Sequence, residues 1–135
     1  MQCFIGCSGF YNKDWKEIFY PKNLKQSEWF EYYCTRFNTL ELNTSFYRFP
    51  TIDMLKKWYD KSPADFKFSV KVPRLITHFK QLSGTQTLLS DFYAAVNTGL
   101  KEKLAAILFQ LPSRIIYSEE FLQRIIENVN SNFIN

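Results

Sequence analysis

Phe37-Asn38-Thr39-Leu40-Glu41-Leu42-Asn43-Thr44-Ser45-Phe46-Tyr47-Arg48 is the stretch on which the reading of this chain turns. Side chains alternate between the two faces of a strand, so Leu40 and Leu42 share one face while Thr39, Glu41 and Asn43 share the other. The apolar face calls for a helix packed against it. The opposite face carries a carboxylate and an amide, which are costly to bury unless they are hydrogen-bonded or meet a ligand. Polar residues crowding the carboxyl end of a strand mark a candidate site.

Working outward, short apolar runs alternate with helical patterns, which predicts βα units and a parallel sheet. Before the central strand, Cys3 to Cys7 reads as a first strand ending in Ser8-Gly9, and a long aromatic connection runs from Phe10 to Lys25. Ser27 is a candidate cap for a helix with Glu28 in its first turn and Trp29, Tyr32, Tyr33 and Phe37 at helical spacing. After the central strand, Thr51 caps a helix with Met54, Leu55, Trp58 and Tyr59 on one face, and Ser62-Pro63 ends it. Phe66 to Val72 is a third strand with Phe68, Val70 and Val72 on one face. Leu88, Leu89, Phe92, Tyr93 and Val96 mark a helix closed near Gly99. Leu104 to Leu111 is a fourth strand, and Ser118 caps a last helix with Phe121, Leu122, Ile125, Ile126 and Val129 on its apolar face.

The bulk properties fit this picture. The chain has 135 residues, 46% of them hydrophobic and 19% aromatic, ample for the core of one domain and too apolar for a disordered chain. A formal net charge of +4, without a long run of like charges, favours anionic partners only weakly. Three cysteines lack CxxC spacing, so neither a disulfide framework nor a zinc knuckle is expected. Cys3 and Cys7, four positions or roughly 13 Å apart along a strand, are too distant to bridge. They read as buried free thiols in a reducing compartment. With no signal-peptide pattern at Met1-Gln2-Cys3-Phe4-Ile5-Gly6 and no run approaching the roughly 20 apolar residues of a membrane span, a cytoplasmic location is the expectation and a membrane partner is not.

Several pieces then combine. Ile5-Gly6-Cys7-Ser8-Gly9, Asp14-Trp15-Lys16, Phe19-Tyr20-Pro21, Arg36 to Tyr47, Phe68-Ser69-Val70-Lys71-Val72-Pro73-Arg74, Thr77-His78 and Leu108-Phe109-Gln110-Leu111-Pro112 together resemble the YecE-like family, domain of unknown function seventy-two. The likeness runs over nearly the whole chain in the family's order. It implies an α/β fold of four βα units with parallel strands, forming roughly the first half of a TIM-type (β/α)8 barrel. The shape is akin to sugar-isomerase and apurinic-endonuclease barrels, an analogy that carries no function across. The family continues into a fifth strand with an acidic, arginine and histidine cluster and three more units. This chain stops at Asn132-Phe133-Ile134-Asn135, where that strand is expected, so residues 1–135 read as a single domain truncated before the fifth strand. Four strands then leave two unpaired edges, which predicts self-association.

In a barrel, Leu40, Leu42, Phe68, Val70, Val72, Ile107 and Phe109 should face the surrounding helices, and Glu41, Asn43, Lys71 and Gln110 should face inward near the strand carboxyl ends, where barrel sites lie. Candidate catalytic residues are Glu41 as base or orienter, Lys71 as electrostatic stabiliser or amine nucleophile, and His78, the sole histidine, as general acid or base. Candidate substrate-binding residues are Ser8, Asn43, Tyr47, Arg48, Arg74 and Gln110. Lys16, Lys22 and Arg114 are further cations expected over the same face, where they could hold phosphate or carboxylate. Trp15, Phe19 and Tyr20 are either a lid or core. Glu41 and Lys71 could instead be a structural ion pair fixing strand register. No metal ligand set is evident and no cofactor is expected. Two function classes remain: an enzyme acting on a small anionic, phosphorylated or sugar-like substrate, and a nucleic-acid binder using a basic, aromatic groove.

Overall fold

The computed structural model describes residues 3–129. Four parallel strands, β1 (Gly6–Cys7), β2 (Thr39–Leu42), β3 (Lys67–Lys71) and β4 (Leu104–Leu108), form one sheet in sequence order. Helix α1 (Trp29–Cys34) joins β1 to β2, and α3 (Ile52–Lys61), preceded by the short α2 (Thr44–Tyr47), joins β2 to β3. A π-helical turn (Leu75–Phe79) and α4 (Gln86–Leu100) lead to β4, and α5 (Glu119–Asn128) follows it. The position expected for a fifth strand lies outside the described residues.

The expected faces are observed. Leu40, Leu42, Phe68, Val70 and Val72 are buried in one core with Phe30, Tyr33, Leu55, Phe92 and Val96 from the helices, and Ile107 and Phe109 pack against that core. Trp15 and Phe19 also pack on it, and Tyr20 is buried, so these three are core residues rather than a lid. Tyr20 stacks face to face on Trp29, ring centroids 4.3 Å apart.

Several boundaries differ from the sequence reading. The first strand is only Gly6–Cys7, so Cys3 and Cys7 do not share a strand, and Cys3 is exposed while Cys7 and Cys34 are half-buried. β4 stops at Leu108 because its register partner Lys71 is the last residue of β3, and a strand without a neighbour has no ladder to extend. Ser27 lies within a 3-10 turn (Gln26–Glu28) and does not cap α1. The Glu28 carboxylate accepts from the Lys25 backbone N–H at 3.2 Å and organises that turn instead. Thr51 and Ser118 do cap, accepting from the N–H of Met54 and Phe121.

The helix closes near Gly99, as expected, but Gly99 is not its cap. It lies inside α4, which ends one residue later with Lys101 at φ 48°. Its role is close approach, because a Cβ there would come 2.5 Å from Leu55 Cβ of α3. The α3–α4 packing therefore needs a residue without a side chain. On α5, Phe121 and Ile125 are turned inward, whereas Leu122, Ile126 and Val129 are exposed, so the apolar stripe is only partly covered.

Polar groups inside the core are tied down. Tyr33 Oη accepts from the Cys7 N–H at 2.7 Å and donates to the Thr39 carbonyl at 2.9 Å, clipping β1 and β2 to α1. Lys103, 4% exposed, donates to Tyr59 O, Ser62 O and Ser62 Oγ at 2.7 to 2.9 Å. The ammonium thus satisfies carbonyls at the carboxyl end of α3, where a cation is also favoured by the helix dipole.

Two predictions follow from the packing. Gly99→Ala should destabilise the chain by about 1–3 kcal/mol through overpacking, read from urea unfolding; a neutral effect would show that α3 and α4 are not held at this spacing. The second concerns alkali. Burial pushes the Tyr20 phenol up to about 12 from 10.0 and the Cys34 thiol up to about 12 from 9.0, and raises Tyr33 as well. Each group keeps its proton in the folded chain after the unfolded chain has released it. Their contribution is therefore complete below about pH 9 and lost as pH rises toward 12. Lys103, whose pKa burial lowers, acts in the opposite sense, but one group stands against three. The urea midpoint should fall between pH 9 and 11, and a flat profile would contradict this burial.

Candidate functional site

The core-facing parity of β2 and β3 leaves Thr39, Glu41, Ser69 and Lys71 on the other side of the sheet. Glu41 is level with Ser69 in the register, and Lys71 lies one alternation further along β3. Glu41 Oε1 and Lys71 Nζ are 3.3 Å apart, with side chains 24% and 14% exposed. This half-buried pair sits at the carboxyl ends of the strands, as expected.

The end of β2 is shaped by the residues that follow. Asn43 leaves the strand with helical dihedrals and opens α2. Its Nδ2 donates to the Ser8 carbonyl at 3.0 Å, while its Oδ1 is buried with no partner among the described residues. Ser8 therefore meets the site through its backbone; its side chain is not placed in the contact. Ser45 is fully buried, its Oγ 2.8 Å from Leu42 O and 2.6 Å from Lys71 O, so one hydroxyl proton is shared between the carbonyls that end β2 and β3. That bond fixes α2 over the sheet end and brings the Phe46 ring 5.7 Å from the Lys71 ammonium.

His78 lies on the π-helical turn rather than in an irregular loop. Its ring meets Phe46 edge to face at 5.0 Å, and its Nδ1 is 2.9 Å from Thr77 Oγ1. Arg114 Nη2 donates to the His78 carbonyl at 3.2 Å. Glu41, Lys71, Phe46 and His78 thus form a continuous set. Arg74 lies 5.4 Å from the rings of both Tyr47 and Phe79, which are 70% and 66% exposed.

Other expected residues are not brought in. Gln110 is exposed, two residues past the end of β4, where no neighbouring strand among the described residues holds it. Arg48 is exposed at the end of α2. Lys16 and Lys22 line a separate cavity beside Trp29 and do not join the strand-end cations, because the connection carrying them folds against the start of α1. An apolar cavity of about 310 Å³ bordered by Phe10, Phe30, Met54 and Trp58 is likewise lined by neither member of the ion pair. Among the described residues no group of three or more His, Cys, Asp or Glu could hold a metal. No helix among them is long and apolar enough to cross a membrane.

Ser45, Phe46 and Phe79 are site residues that the sequence reading did not use. Ser45 gave one signal, a small polar residue between Leu42 and the aromatic pair Phe46-Tyr47. Its two acceptors become visible only when β2 and β3 lie side by side.

A parallel βα sheet with a charged pair at its strand carboxyl ends defines the class, a TIM-barrel-like α/β protein. The chain belongs to the family described as protein of unknown function DUF72, whose model matches residues 4–133. It is similar to the UPF0759 protein YecE of Escherichia coli strain K12, 29% identical over 83 residues, which are 62% of this chain and 30% of that protein. It is also similar to the UPF0759 protein YunF of Bacillus subtilis strain 168, 28% identical over 114 residues, 81% of this chain and 39% of that one. A crystal structure of a DUF72 family protein from Thermotoga maritima superposes with a TM-score of 0.77 at 30% identity, covering 93% of this chain and 51% of the other. The chain thus spans about a third of the length of these two relatives and about half of the Thermotoga chain.

Proposed function

We propose that the strand-end face binds a small hydroxylated anion, such as a sugar phosphate or sugar acid, and carries an enzymatic site for it. The observation behind this reading is the half-buried Glu41–Lys71 pair, with Asn43 Oδ1, two positions beyond Glu41 in the chain, unpartnered among the described residues. A buried ion pair adds little net stability compared with apolar packing, so its position at the strand ends is better accounted for by a ligand. Lys71 supplies charge to an anionic group, and Arg74 adds a second cation at the rim. An acceptor without a donor costs about 1–3 kcal/mol, which a ligand hydroxyl reaching Asn43 Oδ1 would recover. Glu41 is placed as base or orienter, and His78, with Nδ1 engaged by Thr77, would meet substrate through Nε2. Tyr47 and the backbone of Ser8 complete the substrate-binding set of this proposal, and the exposed Arg48 and Gln110 stand outside it.

A second reading, single-stranded nucleic acid, is favoured by Arg74 between the exposed rings of Tyr47 and Phe79, since such platforms stack bases. A cytoplasmic setting suits the free cysteines, one of them exposed. A single domain over residues 1–135 is part of the same proposal.

The test is calorimetric binding of a panel of sugar phosphates and sugar acids, with a single-stranded oligonucleotide as the competing arm. Lys71→Met keeps much of the stem and removes the charge, and should weaken anion binding at least tenfold. Lys71→Arg keeps charge in another shape and should weaken it partially. Undiminished binding by a folded Lys71→Met protein sinks the assignment, and loss of stability in both variants without ligand would favour the structural ion pair. Tight oligonucleotide binding that falls steeply with salt would favour the second reading.

Self-association belongs to the same proposal, because among the described residues β1 and β4 are the edges of the sheet, and an edge left unpaired presents free backbone donors and acceptors. Light scattering should give a mass well above the 16.1 kDa of one chain. A monodisperse monomer at high concentration would refute it.

A further inference from the structure

The connection between β1 and α1 holds a second basic feature. A cavity of about 480 Å³ opens between this connection and the start of α1, with Lys13, Lys16, Lys22, Lys25, Asn23 and Trp29 among its walls. Among the described residues no carboxylate lines it. Among the described residues, none of the four lysines takes part in an ion pair. Ammonium groups gathered around one concavity repel each other and concentrate positive potential there.

Trp29 provides the independent observation. It is 4% exposed, and its Nε1 is buried with no acceptor among the described residues. An indole N–H can only donate, so no rearrangement of its own satisfies it without an oxygen brought to it. The ring is held in place by the stack on Tyr20, with planes 7° apart, and by Tyr11 at 5.6 Å. A buried donor without an acceptor, in the wall of a cavity whose charged residues are all cations, calls for an anion.

We propose that this cavity binds a compact polyphosphate group, with Lys13, Lys16, Lys22 and Lys25 neutralising its charge and the Trp29 indole N–H donating to a phosphoryl oxygen. Two linked phosphoryl groups match the site better than a carboxylate does. They bring several negative charges and many acceptor oxygens against four cations, whereas a carboxylate would leave most of the positive charge uncompensated. The lysine side chains carry no ion-pair partner and can turn toward the ligand by rotamer changes, and Asn23 offers an amide donor at the wall. The site shares no lining residue with the Glu41–Lys71 pair, so it stands or falls separately from the function proposed above.

The experiment follows the indole N–H resonances of the full chain by 1H–15N NMR during titration with inorganic pyrophosphate, with sulfate at matched ionic strength as control. The Trp29 resonance, assigned with Trp29→Phe or, should that variant not fold, by elimination with Trp15→Phe and Trp58→Phe, is expected to shift and saturate. Pyrophosphate should bind at least tenfold more tightly than sulfate. The Lys22→Gln/Lys25→Gln double variant should lose at least tenfold in affinity, and Lys56→Gln, at an exposed position of α3 outside the cavity, should lose none. ADP binding as tightly as pyrophosphate would identify the phosphate chain alone as the ligand, and tighter binding would identify a nucleotide; both support the site. An unmoved Trp29 resonance at millimolar pyrophosphate, equal binding of sulfate, or undiminished affinity in the folded double variant would each overturn it.

Discussion

The constraint on which the rest of the molecule depends is strand parity under a one-sided core. Leu40, Leu42, Phe68, Val70 and Val72 are buried against the helices, and their burial is the dominant favourable term available to the sheet. A slip of one residue in either strand would send that strand's members of this set to the opposite face. Glu41 and Lys71 share the opposite face because a one-residue slip would bury them in place of the apolar set, and the pairing of Glu41 with Ser69 brings them within reach. The ion pair is thus a consequence of hydrophobic packing on the far side of the sheet.

Around that core, a few satisfied polar groups convert approximate packing into defined positions. Tyr33 ties the two-residue β1 to β2, and an edge strand that short has little ladder of its own to hold it. At Gly6, a Cβ would lie 2.0 Å from Thr39 O, so the same junction also excludes any side chain. Ser45 joins the ends of β2 and β3, and Lys103 closes the end of α3. Each of these groups is buried and paired, the condition under which a polar group inside a protein adds specificity without a large penalty. Among the described residues Asn43 Oδ1 and Trp29 Nε1 break this rule, and Trp29 lines a cavity walled by lysines.

The positive charge is accordingly divided. Lys71 and Arg74 sit over the strand ends with aromatic neighbours, whereas Lys13, Lys16, Lys22 and Lys25 surround a cavity in the first connection. A net charge of +4 conceals this arrangement, because scattered carboxylates cancel most of it in the total. Locally the fields differ in kind. Lys71 is paired with a carboxylate, whereas among the described residues none of the four cavity lysines is in an ion pair.

The sequence by itself determined the order of elements, the parallel βα character, the faces of β2 and β3, and the meeting of Glu41 with Lys71. Those follow from periodicity and from the alternation of side chains, which are local properties of the chain. It also identified the caps Thr51 and Ser118, whose partners lie three residues away. It did not determine where strands stop, since β4 ends at Leu108 only because β3 ends at Lys71. Nor did it place Gly99 against Leu55, let Ser45 bridge two carbonyls, or separate Lys16 and Lys22 from the strand-end cations. Those outcomes depend on groups distant in sequence sharing one volume, and a contact of that kind is decided when the helices pack on the sheet.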